Sequence, residues 1–213
     1  MSFDGWTAAF VILSLIPAVV LHEVSHAAVA AAFGDPTARQ AGRLTLNPIR
    51  HVDPFGTVIL PGLLILLALL GMGSGVVFGY AKPVPVNSAK LRRPRLHMLL
   101  VSLAGPVTNA ILAVGAVLAL RGTALVSFRT AQFLVVWILV NTVLTVFNLL
   151  PLPPLDGAEL VAVALPDRLR TAWRGVAGRF GAVALLVILL AFPAVIDRVI
   201  TPVVDALLRL ALA

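Results

Sequence analysis

Long uncharged runs alternate with short polar connections along this chain of 213 residues. A helix needs about 20 apolar residues to cross a bilayer, and five segments approach or reach that length. They are residues 6–33, 55–78, 98–120, 131–155 and 180–196. The first contains His22, Glu23 and His26 and should end at Gly34. Residues 202–213 place Asp205 and Arg209 among leucines, which predicts a short amphipathic helix on the membrane surface.

Two polar connections predict extended backbone. Residues 37–54 combine turn residues with a modest alternation from Arg43 to Leu46, which favours a small β element at the membrane interface. In residues 82–87, each proline pushes the residue before it into an extended conformation. Residues 79–87 are therefore predicted to form an extended edge.

The composition excludes an ordinary soluble domain. Hydrophobic residues make up 60% of the chain and charged residues 12%, against about a quarter charged in soluble domains. Asp4 is the only charged residue before the first apolar run, so a cleaved signal peptide with a basic start is not expected. The net charge of +7 comes with only one tyrosine and three tryptophans that could stack on bases, which disfavours nucleic-acid binding. Positive charge instead suits the loops that orient a membrane protein. We expect a single membrane-embedded domain over residues 1–213.

The sequence HEVSH, with His22, Glu23 and His26, forms an HExxH motif inside the first apolar segment. Four helical residues make just over one turn, so both imidazoles point to one side and can bind one Zn²⁺ ion. Glu23 lies beside them as a base that can activate water. Because the chain has no cysteine, thiolate ligands are excluded and a metal must be held by His, Asp or Glu.

A catalytic zinc normally has three protein ligands, and the third is not local to the motif. The best candidate is Asp156, which follows a segment with three prolines that forbid a continuous helix. Such unwound backbone must be buried in protein or line a polar cavity. Alternatively, Asp156 and Glu159 form a capping pair for the next helix, and Glu159 is the fallback ligand.

Five stretches resemble the site-two protease family, the intramembrane zinc metalloproteases. They are HEVSH at 22–26, GDPTARQAGRLTLNPIRHVDPFGT at 34–57, GYAKPVPVN at 79–87, SLAGPVTN at 102–109 and NLLPLPPLDG at 148–157. The resemblance implies a catalytic core of about residues 6–165, followed by C-terminal helices in residues 166–213. Ala158 and Glu159 depart from the glycine and basic residue that often follow the LDG turn, and no PDZ or CBS module is found in the chain.

The resemblance also implies roles for individual residues. His22, His26 and Asp156 would bind one zinc ion, and Glu23 would be the catalytic base. Asn148 would act near the scissile peptide. Asn109 is a second candidate of that sort, although either amide could instead hydrogen-bond a neighbouring helix.

A shared metal site constrains how the segments cross the membrane. His22, His26 and Asp156 must lie at one depth near one face, so segments 6–33 and 131–155 run in one direction and segment 98–120 in the other. Residues 55–78 must then begin and end on the same side, which predicts a re-entrant hairpin bent near Gly71, Gly73 and Gly75. The fold class is an all-α polytopic membrane protein with about four full transmembrane helices, this hairpin, the small β element and the C-terminal amphipathic helix.

This topology puts 12 of the 16 basic residues on the side of the metal site. The four on the other side are Arg121, Arg129, Arg198 and Arg209. Basic loops stay in the cytoplasm. We therefore expect a multi-pass protein of a prokaryotic cell membrane, with the active site toward the cytoplasmic side.

These features predict an intramembrane zinc metalloendopeptidase whose partners are the lipid bilayer and a transmembrane substrate that enters laterally. The unwound substrate strand would pair with the extended edge of residues 79–87 or with residues 43–46, a form of β-augmentation. The edge residues Tyr80, Lys82, Val84 and Val86 are the candidate substrate contacts. Two alternatives are an ion or proton transporter, which would need ionisable residues in other spans, and a non-catalytic zinc-binding scaffold.

Overall fold

In the computed structural model, the described residues are 5–59, 62, 63, 66, 81–122, 127–191 and 193–212. Their regular secondary structure is entirely helical, with no strand among them. The α-helices are α1 (Gly5–Ala32), α2 (Thr37–Gln40), α3 (Pro94–Gly122), α4 (Phe128–Asn148), α5 (Ala158–Ala164), α6 (Asp167–Ala191) and α7 (Pro193–Leu212). Short 3₁₀ turns cover Pro48–His51 and Ser88–Lys90, and a π turn covers Pro54–Ile59.

Helices α1, α3 and α4 form the centre of the bundle. At one end, Gln132 of α4 donates to Thr7 of α1, and the ring of Phe10 meets that of Phe133 at 5.6 Å. Toward the other end, the Asn109 amide of α3 donates to Ala18 O and to Asn141 Oδ1. Helices α1 and α4 are therefore parallel. Val101, nearer the start of α3 than Asn109, contacts His26, nearer the end of α1 than Ala18, so α3 is antiparallel to both, as a shared metal site requires.

Four helices in the described chain are long and apolar enough to cross a membrane. They are Gly5–Ala32, Pro94–Gly122, Phe128–Asn148 and Asp167–Ile188. Large apolar side chains face outward on them, such as Leu13 (58% exposed), Ile111 (66%) and Val183 (63%). Outward apolar surface of this kind suits contact with lipid. The expectation of about four helices long and apolar enough to span a membrane is confirmed.

The predicted bounds of the last long segment, 180–196, are wrong. Helix α6 begins at Asp167, so it includes Arg168, Arg170, Arg174 and Arg179, and it ends at Ala191. Charge was a poor boundary signal because long arginine side chains extend their charged heads away from apolar surroundings. Pro193 instead begins α7, because proline has no N–H to donate and its fixed φ suits the first turn of a helix.

The predicted C-terminal amphipathic helix, 202–213, is the second half of α7. Ala211 packs with Ala116, Val117 and Ile138, on the halves of α3 and α4 farther from the histidines. Asp205 and Arg209 are exposed. The apolar side of α7 therefore packs against the bundle, and its charged residues lie on the outer side.

The predicted β element in residues 37–54 is wrong. Thr37–Gln40 are helical, and Asn47 accepts from Ile49 N to begin the turn Pro48–His51. Arg43 N donates to Ala38 O, and Asn47 N donates to the Thr45 hydroxyl. Local acceptors thus occupy the backbone donors that a strand would need for a partner.

The predicted re-entrant hairpin and its bend near Gly71, Gly73 and Gly75 lie outside the described residues and stay a prediction. The structure describes residues 81–87 of the predicted extended edge, and this segment is the strap. Within the strap, Lys82 N donates to His51 O at 2.9 Å and Asn87 N donates to Asp35 Oδ2 at 2.6 Å. The strap is therefore hydrogen-bonded to the protein and does not extend a sheet.

Asp35 connects the end of α1 to the strap. Its carboxylate is fully buried and accepts from the hydroxyl and backbone N–H of Thr37 as well as from Asn87 N. Burial alone would raise the pKa of Asp35. The hydrogen bonds from Thr37 and Asn87, together with the positive charge of Lys90, outweigh burial and hold the pKa below its ordinary value.

We expect Asp35→Asn to lower the free energy of unfolding by about 1–2 kcal/mol at pH 7, because charged acceptors form stronger hydrogen bonds than neutral ones. A carboxyl group whose pKa is lowered in the folded state stabilises the fold at pH values above its unfolded pKa, near 3.9. This stabilisation is lost as the pH falls through the folded pKa. The difference should therefore shrink below about pH 4. Unfolding in detergent at both pH values tests this, with the exposed Asp205→Asn as control. An undiminished difference at low pH would contradict it.

Candidate metal centre

Helix α1 presents His22 and His26 on one side, one turn apart. Both residues are buried, at 6% and 7% exposed, and their ring centroids lie 4.7 Å apart. In a helix that is otherwise almost entirely apolar, two buried imidazoles need polar partners. Helix α3 provides these partners.

Hydrogen bonds at Nδ1 fix the state of both rings. Asn109 donates through its amide nitrogen to Asn141 and Ala18, so its Oδ1 is an acceptor for His22 Nδ1, 2.6 Å away. His26 Nδ1 donates to the Val101 carbonyl oxygen at 2.6 Å, since a carbonyl can only accept. With the proton of each neutral ring on Nδ1, both Nε2 atoms present lone pairs.

Asp156 faces these two lone pairs. Its Oδ2 lies 3.1 Å from His22 Nε2 and 3.3 Å from His26 Nε2, and this buried oxygen has no other hydrogen-bond partner in the described chain. The three ligand atoms all lie within 4.8 Å of one another. Three buried acceptors that converge in this way repel one another unless a cation lies between them, and two imidazoles with one carboxylate suit Zn²⁺.

The turn between α4 and α5 carries Asp156 to the histidines. Gly157 N donates to Asn148 O at 2.7 Å, which closes the loop of residues 149–156 onto the end of α4. A Cβ on Gly157 would overlap the carbonyl oxygens of Leu149 and Leu150. Glycine is therefore required at this position for space, although its φ of −60° is ordinary.

Gly105 brings α3 against the imidazoles. A Cβ on this residue would lie 2.5 Å from His22 Nε2 and would also overlap His26 Nε2. A role for this glycine could not be predicted from the sequence LAGP, because its importance comes from the close approach of a helix remote in sequence. Together with the Val101 carbonyl, it is a feature of the site that sequence reasoning missed.

Glu23 lies next to the histidines on α1 and is half-buried. Its Oε2 accepts from Val84 N of the strap at 3.3 Å. The structure thus brings the predicted base and the predicted edge together. Of the remaining edge residues, Lys82 is exposed, Val86 is half-buried and Tyr80 lies outside the described residues.

Two asparagines predicted to contact substrate differ in their surroundings. Asn109 has no exposed surface and hydrogen-bonds to His22, so it cannot reach a substrate in this conformation. Asn148 is half-buried and its amide donates to Leu144 O at 3.0 Å.

Glu159, the fallback ligand, is buried in an ion pair with Arg174 and does not belong to the cluster. Helix α5 begins after Gly157 with no side-chain cap, so Asp156 is free of the alternative capping role.

Residues 122–192, which include the turn with Asp156, match the sequence profile of peptidase family M50. YwhC of Bacillus subtilis, named a putative zinc metalloprotease, is 46% identical over 169 residues, which cover 76% of this chain and 71% of that protein. Rip2 of Mycobacterium tuberculosis, with the same description, is 36% identical over 189 residues, or 85% of this chain and 66% of that protein.

Rip2 of Mycolicibacterium smegmatis is 33% identical over 150 residues, which cover 69% of this chain and 54% of that protein. The chain thus spans between about half and two thirds of the length of its mycobacterial relatives. No solved structure matches it significantly. Because it is similar to YwhC over most of both proteins and matches the family profile at the Asp156 turn, this chain belongs to peptidase family M50.

Proposed function

We propose that this protein is a zinc metalloendopeptidase that cleaves membrane proteins within or near their transmembrane segments. Family membership and the names of its relatives support a zinc metallopeptidase. The observation that carries the proposal is the convergence of His22, His26 and Asp156, beside Glu23, on helices apolar enough to cross a membrane. These three residues would hold one zinc ion.

The bound zinc would supply Lewis acidity, polarising the scissile carbonyl and making water easier to deprotonate. Glu23 then takes the proton from the attacking water and passes it to the leaving amine. Asn109 and the Val101 carbonyl hold the two imidazoles with their lone pairs toward the ligand position. Asn148, at the entrance of the turn with Asp156, holds the substrate or stabilises the developing oxyanion.

The substrate is a transmembrane segment that unwinds, because a membrane helix satisfies its own amides and hides them. The strap, where Val84 approaches Glu23, would receive the unwound strand. The N–H groups of Lys82, Val84 and Asn87 are bonded within the protein, and Pro83 and Pro85 have none. The strap would therefore bind a substrate strand mainly through its carbonyl oxygens, which accept from N–H groups of the substrate.

We place the active site toward the cytoplasmic side of a prokaryotic cell membrane. The histidines and the Asp156 turn lie at the end of the bundle where α1 and α4 finish and α3 begins, and 12 of the 16 basic residues belong to that side in the predicted topology.

Single cysteines test this orientation directly, because the chain has none of its own. We expect Lys90→Cys and Ser127→Cys, both at exposed positions, to react with an impermeant thiol reagent from opposite sides of the membrane. In intact cells Ser127→Cys should label, and Lys90→Cys should label only after permeabilisation. Labelling of both from the same side would contradict the topology.

Glu23→Gln should retain zinc and abolish cleavage, because the amide keeps the size of the side chain and cannot accept the proton. We expect turnover to fall by at least about 10²-fold, as is typical when a general base is lost. Zinc content and cleavage of a model transmembrane peptide would be measured on the same sample. A variant with normal turnover would remove Glu23 from the base role.

Asn109→Ala should lower zinc affinity about 10- to 100-fold, since His22 would lose the acceptor that orients it. Asn148→Ala removes an amide of the same kind whose side chain donates to Leu144 O of its own helix, so it should retain zinc and lose turnover. Competition with a chromogenic chelator measures the affinity of each variant. Equal affinity in the parent and Asn109→Ala would contradict the orienting role.

A further inference from the structure

The position of Asp156 depends on the backbone that carries it. Its Oδ2 faces the two imidazoles and has no other hydrogen-bond partner in the described chain. The histidines, in contrast, are each held by a second hydrogen bond from α3. Whatever holds the loop of residues 149–157 and the start of α5 therefore sets the distance of the carboxylate from the histidines.

Helix α6 contacts the residues directly after Asp156. Arg174 forms an ion pair with Glu159, whose side chain is only 10% exposed. Trp173 Nε1 donates to the carbonyl oxygen of Ala158 at 3.3 Å. A buried carboxylate requires a charged partner, so this pair fixes the first turn of α5 to α6.

The same helix contacts the loop before Asp156. A Cβ on Gly181 would lie 2.7 Å from Pro153 Cβ and 3.1 Å from its carbonyl carbon, so α6 approaches the loop closely only because this residue is glycine. One turn farther along, the buried Leu185 packs with Leu155, and Leu150, Leu152 and Phe147 surround the pair. Helix α6 thus supports the loop on both sides of the ligand.

We propose that α6 is the element that positions the third metal ligand, with Gly181 and Arg174 as positioning residues. This inference rests on the proposed function, since it concerns the zinc site. It extends the machinery of the site beyond residue 165, the predicted end of the catalytic core. It also assigns a use to Glu159, where the family pattern has a basic residue, as the anchor for Arg174.

The experiment compares Gly181→Ala with Gly178→Ala in the purified full chain. Both replace a glycine of α6 by a better helix former. A Cβ at 178 meets nothing within 4 Å, whereas one at 181 pushes against the Pro153 backbone. We expect Gly181→Ala to bind zinc about 10-fold more weakly, as other outer-shell changes do, and Gly178→Ala to match the parent. Competition with a chelator measures both, without any need for a substrate.

A second pair of variants tests the ion pair. Arg174→Gln should weaken zinc binding about 10-fold, and the exposed Arg179→Gln should leave it unchanged. The exchanged pair Glu159→Arg with Arg174→Glu should recover part of the loss, because it restores opposite charges.

The inference is overturned if Gly181→Ala and Arg174→Gln bind zinc as the parent does, or if the controls at 178 and 179 lose as much. It is also overturned if the affinity falls only together with helix content, measured by circular dichroism. A parent protein that binds no zinc would refute the proposed function itself, and this result is distinct from the others.

Discussion

The structure depends on three electron-pair donors that meet inside an apolar bundle. His22, His26 and Asp156 direct two nitrogens and one oxygen at a common point, and the other ring nitrogen of each histidine is hydrogen-bonded away from it. In surroundings of low dielectric constant, such an arrangement is unfavourable without a cation and strongly favourable with one. The close approach of α3 at Gly105, the loop that Gly157 closes and the contacts of α6 all serve to bring these atoms together.

Spacing within one helix was enough to predict part of the site. HExxH places two imidazoles on one side of α1 whatever surrounds it, because the geometry is local. Asp156 could be predicted because the motif needs a third ligand and this carboxylate follows unwound backbone, as the family resemblance also implies. Its approach to the histidines depends on the packing of α4 and α6. The roles of Gly105 and Gly181 could not be predicted. A glycine has no side-chain chemistry to read, and its importance arises from a neighbour remote in sequence.

The fold shows the same division. Long apolar runs predicted the membrane-spanning helices, since a bilayer leaves few alternatives to a helix. Boundaries were poorer where charge was used to set them, as in α6, whose first half carries four arginines. Residues 37–54 were misjudged because the alternation from Arg43 to Leu46 is short, and the side chains of Thr45 and Asn47 provide local acceptors that favour turns. Local hydrogen bonding outweighs a short alternation of this kind, and the described part of the chain provides no neighbouring strand for it.

The two prolines of the strap also have a consequence for how copies of the protein meet. An exposed edge with free donors and acceptors invites pairing with another edge, and this is a common route to aggregation. Pro83 and Pro85 have no N–H to donate, and the N–H groups of Lys82, Val84 and Asn87 are already bonded within the protein. Two straps therefore have few donors to offer each other, whereas a substrate strand brings its own, and this disfavours pairing between copies of the protein.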